Sequence, residues 1–112
     1  FDYTIFDHPL TAEDYLPGGS VYNLVWGRFQ DQEVADLFAK RVGADVLVTG
    51  HQASAPGVKA PTSRHIILVS DGALGRFLLM RLGATVPFNV LLRQVTRISS
   101  LGGDTTDLGA EM

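Results

Sequence analysis

The sequence has no cysteine. Disulfides, thiolate zinc sites and thiol nucleophiles are thereby excluded. It has no apolar run approaching the ~20 residues that a membrane-spanning helix needs. It has no basic excess: nine Lys and Arg stand against twelve Asp and Glu, a formal charge of −3. A nucleic-acid module ordinarily shows a basic face, so no nucleic-acid partner is expected. Arg76, Arg81, Arg93 and Arg97 are scattered and lack the interleaved aromatics of a strand-binding groove. The phosphate-cradling patterns G-x-G-x-x-G and G-x-x-x-x-G-K-[ST] are missing, as is the nucleophile elbow G-x-S-x-G. Gly72-Ala73-Leu74-Gly75 is too short to signal a dinucleotide site. The chain starts at Phe1, and no signal-type segment follows. The expectation is a cytoplasmic protein away from membranes, either processed or part of a longer chain.

What is present suits one small folded domain. The chain has 112 residues, 46% of them hydrophobic and 19% charged, a balance that favours a packed core over disorder. Residues 1–20 carry Pro9, Pro17, Gly18 and Gly19 and read as irregular. Val21–Trp26 (VYNLVW) reads as a strand closed by Gly27. Asp31 is a natural helix N-cap, and Val34, Leu37, Phe38 and Val42 form a stripe at helical spacing. Lys40 and Arg41 suit a last turn and Gly43 a C′ position, so a helix is predicted over 31–42. Asp45–Thr49 (DVLVT) reads as a buried strand, 52–64 as a loop, and Ile66–Val69 as a second apolar strand. Asp71, Gly72 and Gly75 mark a turn, and further strands are expected over 77–82 and 88–98. The Ser, Gly, Thr and Asp composition from Ser99 onward reads as a flexible tail over 99–112. Apolar strands such as DVLVT want cover on both faces, and one helix cannot supply it. Other chain segments are therefore expected to complete this core.

The residue with most chemical promise is His51, in Gly50-His51-Gln52 after a predicted strand. A strand end holds an imidazole in place, and a flanking glycine lets backbone or ligand approach closely. Taken alone, such a histidine is ordinarily a hydrogen-bonded loop residue. His65, at the start of a strand, and His8, beside Pro9, read as structural or exposed.

Tyr22 to Leu82, about 60 of the 112 residues, resembles the C-terminal part of the calcineurin-like metallophosphoesterases, in their serine/threonine-phosphatase branch. The resemblance runs in order through LVWGR, the helix EVADLFAKRVGAD, the strand and histidine VLVTGHQ with Gly57 beyond it, IILVSDGALG, and RFLLMRL. It implies an α/β fold, the C-terminal sheet and helix of a four-layer αββα sandwich, over residues 1–98. It implies that His51 is the last histidine ligand of a pair of divalent ions. Manganese, iron or zinc would suit an imidazole better than magnesium. In that family the ions activate water to hydrolyse phosphomonoesters. The expected partner is then a phosphorylated protein or small molecule. Arg28 is a candidate substrate contact, since a guanidinium can hold phosphate oxygens bidentately. The eukaryotic enzymes of the family usually carry Ser-Asp-Pro where this chain has Gly27-Arg28-Phe29. Asp71 falls where the family has a loop bordering its active-site groove.

The family's other ligand motifs precede the matched region and are missing from this chain. Gly103-Asp104-Thr105-Thr106-Asp107-Leu108-Gly109 mimics one of them. It follows His51 instead of preceding it, and Leu108 stands where an arginine belongs. One histidine cannot hold a dinuclear centre. The expectation is a C-terminal fragment of a metallophosphoesterase, inactive alone. The alternative is a non-enzymatic α/β binding or oligomerisation module with a degenerate metal site.

Overall fold

The computed structural model describes residues 1–28, 30–52 and 56–101. It divides the chain into two units, Phe1–Gln30 and a second that starts at Asp31. Helices and strands are mixed, as an α/β reading requires. No helix among the described residues is long and apolar enough to cross a membrane.

The first unit is built from short helical turns. Asp2 Oδ1 accepts hydrogen bonds from the Thr4 hydroxyl (2.7 Å) and amide (2.9 Å), capping a 3₁₀ turn over Tyr3–Phe6. Those bonds favour the ionised carboxyl and hold it below the ordinary range. A reciprocal pair between Thr11 and Asp14 caps a second turn, Ala12–Tyr15. Helix α1 follows over Ser20–Trp26. Its buried first residue ties back to the start of the chain, because Ser20 Oγ accepts from the Asp2 amide at 3.1 Å.

Helix α1 corrects the strand expected over Val21–Trp26. A six-residue apolar run does not by itself distinguish helix from strand. Among the described residues of this unit there is no strand to pair with, whereas the helical i,i+4 spacing brings Tyr22 and Trp26 together with ring centroids 6.4 Å apart.

The second unit opens with helix α2, Gln32–Val42, as its end signals predict. Asp31 Oδ1 accepts from the Val34 amide at 3.1 Å. Gly43 adopts φ +70°, and its amide reaches the carbonyls of Ala39 and Lys40. The buried face differs from the expected stripe. Ala35 and Ala39 face inward, while Val34, Leu37 and Val42 stay exposed. Small residues let a helix sit close to its neighbours, so the alanine row makes the contact.

A three-stranded sheet forms the core of this unit in the order β1-β3-β2, with β1 Leu47–Thr49, β2 Val58–Thr62 and β3 His65–Leu68. Strand β1 runs parallel to β3, pairing Leu47 with His65, Val48 with Ile66 and Thr49 with Ile67. Strand β2 is antiparallel to β3 and slips register between Lys59 and Thr62. Ile66 and Ile67 point to opposite faces, and both are fully buried. The central strand is thus covered on each side. Strand β1 is an edge, and Val48 and Thr49 are exposed, in contrast to the buried strand expected there.

Three further expectations are corrected. Strand β2 lies inside the loop predicted over 52–64; Pro61 argued against a strand, but an edge strand with a slipped register accommodates it. The strand expected over 77–82 is limited to β4, Arg76–Phe77, which pairs with β5, Thr96–Arg97. Among the described residues no strand pairs with the chain beyond Phe77, and Leu79 and Leu82 are exposed. The strand expected over 88–98 is mostly helix α3, Phe88–Gln94, which follows Pro87 and buries Leu91. Of the expected tail, Ser99 and Ser100 belong to a 3₁₀ turn, and 102–112 lie outside the described residues, as does the 103–109 motif.

Candidate functional site

Strands β1 and β3 are parallel, so their C-terminal ends lie on one edge of the sheet. Ligands of α/β sheets gather at such edges, where loops leave the strands. Here β1 gives way to Gly50-His51, and β3 to Val69-Ser70-Asp71. Gly50 lies against β3: a Cβ placed on it would stand 3.5 Å from the Leu68 carbonyl oxygen.

His51 has φ +66° and is the only non-glycine with positive φ among the described residues. A left-handed backbone costs an L-residue about 1–2 kcal/mol. The turn therefore holds the imidazole against a local preference, a pattern that clusters at binding sites. The side chain is exposed. Asp71, on the same edge, precedes the 3₁₀ turn Gly72–Leu74 without capping it, and it too is exposed. No group of three or more His, Asp or Glu residues is placed to hold a metal among the described residues. His51 can supply one ligand, not a metal centre.

Arg28 follows helix α1, not a strand end as expected. Its Nη1 donates to the Gly27 carbonyl at 3.0 Å and to the Val25 carbonyl at 3.5 Å. A cation on the last carbonyls of a helix is a common capping arrangement. His8 is exposed, with Nδ1 2.8 Å from the Pro9 carbonyl oxygen.

His65, which the sequence reads only as structural or exposed, is the buried first residue of β3, at the opposite end of the strand from that edge. Its Nε2 lies 2.8 Å from Thr49 Oγ1. Burial without a compensating charge pushes the imidazole below its ordinary value of 6.5. The parallel register places Leu47 opposite His65 and Thr49 two residues further along the same face. Only the register reveals this pairing.

At the other end of β1 an open groove of about 650 Å³ lies between α2, the β2–β3 turn and residues 85–88. Four of its polar residues, Gln32, Asp36, Ser63 and Arg64, bind one another. Arg64 pairs with Asp36, and the Gln32 amide exchanges bonds with Ser63 at 2.9 Å in each direction.

Comparison with protein-family models, curated proteins and solved structures finds no significant match to this chain.

Proposed function

We propose that this chain is the C-terminal part of a metal-dependent phosphoesterase acting on phosphomonoesters, with His51 as a ligand to one of two divalent ions. The observation that carries the reading is the left-handed turn at His51, directly after a parallel-paired strand. The resemblance in VLVTGHQ and IILVSDGALG adds to it, and both segments border that edge.

The described residues do not fit a two-metal centre by themselves, since no three His, Asp or Glu residues among them are grouped to hold a metal. The remaining ligands belong, in this reading, to a preceding part of a longer protein. When bound, the ions supply Lewis-acid activation of water. The chain's own part is to hold the imidazole. The Gly50-His51 turn projects it from the strand end, and the buried β3 residues Ile66 and Ile67 keep the strand in place. Asp71 shapes access to the same edge. A phosphate role for Arg28 would require its guanidinium to leave the α1 carbonyls.

The test is His51→Ala in the protein translated from the whole reading frame. Loss of one of two bound manganese ions, with phosphatase turnover down on the order of a hundredfold or more, is expected. Unchanged metal content and rate would refute the assignment.

A second reading is supported by the exposed apolar residues Val34, Leu37, Leu79 and Leu82. Such groups suit a binding or oligomerisation module. A monodisperse dimer of the 112-residue chain would favour it.

A further inference from the structure

We propose that His65 is a positioning residue for His51: through its bond to Thr49 it fixes the last residue of β1, and with it the turn that carries the His51 imidazole. The bearing on catalysis rests on the phosphoesterase reading. The coupling between the two histidines does not.

The need for an anchor follows from the local structure. Strand β1 has three residues and one neighbour, β3. Short edge strands fray easily at their ends. Gly50 comes next and has the least conformational restriction of any residue. His51 then takes a left-handed conformation that its own backbone disfavours. Against this, Thr49 holds β3 by a side-chain bond as well as by its pairing with Ile67. The Thr49 side chain is linked to a buried ring on the central strand, the most buried of the three.

The same bond makes the turn sensitive to acid. A neutral ring at this site is compatible with burial; an imidazolium must regain water or a counter-charge. Among the described residues the groups around it offer no counter-charge: Asp45, just before β1, is exposed, and burial alone lowers the His65 pKa. Strand β1 contributes only Leu47, Val48 and Thr49, none of them titratable. Strand β2 contributes Thr62 opposite His65 and the cationic Lys59 further along. The α2 carboxylate that reaches the β2–β3 turn, Asp36, is bound to Arg64. The remaining charged groups of α2, Glu33, Lys40 and Arg41, are exposed. Protonation therefore displaces the ring, and the displacement is transmitted through Thr49 to Gly50 and His51.

The experiment is a pH titration of the isotope-labelled 112-residue chain by NMR, from pH 8 downward. It is tractable because the chain has three histidines. The Gly50 and His51 backbone amides are expected to show an inflection at the midpoint of the His65 ring. In Thr49→Val that inflection is expected to disappear while His65 still titrates. In His65→Gln, whose carboxamide keeps a partner for Thr49 without titrating, that inflection should be absent from both amides. Should Gly50 and His51 show no inflection at the His65 midpoint in the native chain, or keep it in Thr49→Val, the proposal is overturned. The phosphoesterase reading fails on a different observation, metal retention in His51→Ala, so the two failures are distinguishable.

Discussion

Thr49 Oγ1 and His65 Nε2 stand 2.8 Å apart across two parallel strands, and the threonine is two residues from His51. This bond joins the buried centre of the sheet to its exposed edge. It also places a titratable group where charge is costly.

Stability should therefore fall in mild acid. The folded His65 has a pKa below the 6.5 of the unfolded chain. Between those values the unfolded state binds more protons, so stability rises with pH. The contribution is fully present above about 6.5 and is lost as pH falls from there through the folded value. A single proton limits the slope to about 1.4 kcal/mol per pH unit. Urea unfolding at several pH values checks this, with His65→Gln expected to flatten the dependence in that window. Equal slopes in both proteins would contradict it.

Gly57→Ala should be strongly destabilising. Gly57 has φ +80°, and a Cβ there would overlap the Leu74 carbonyl oxygen. The left-handed backbone and the clash both oppose alanine, so a loss of roughly 2 kcal/mol or more is expected. Gly43→Ala has a similar φ of +70° but open space around it, and should cost only about 1 kcal/mol. Denaturation midpoints of the two variants separate clash from backbone strain.

Ile67→Ala should cost about 2–5 kcal/mol, because the side chain is buried on the central strand. Removing the Arg64–Asp36 pair should cost far less. Both side chains are partly exposed, at 39% and 48%, and such pairs are worth about 0.2–1 kcal/mol. A double-mutant cycle with Arg64→Ala and Asp36→Ala measures that coupling. A value above about 2 kcal/mol would show the pair to be a structural centre of the α2–hairpin contact.

The parts of the fold legible in the sequence are those with local chemical signals. Helix α2 is bounded by Asp31 and Gly43, each using its own hydrogen bonds to end the helix. Strand β3 is a continuous apolar run because both its faces are covered. The edge with Gly50-His51 and Asp71 was placed after strands as expected, and the parallel pairing of those strands brings the two loops to one side. Other segments depended on partners that the sequence does not specify. Val21–Trp26 and Phe88–Gln94 are apolar enough for either period, and within their surroundings helix wins. Phe77–Leu82 has strand-like composition but finds pairing only at Phe77. The Thr49–His65 bond needed the register, which no local pattern carries.

The central claim is that His51 is one ligand of a larger two-metal centre. Its most direct test is to sequence the coding DNA upstream of the Phe1 codon. The account predicts an open frame of roughly a hundred residues or more, long enough to supply the rest of a domain, with Asp, His and Asn ligand motifs in it. A start codon immediately upstream, or a long frame without those motifs, would contradict the claim.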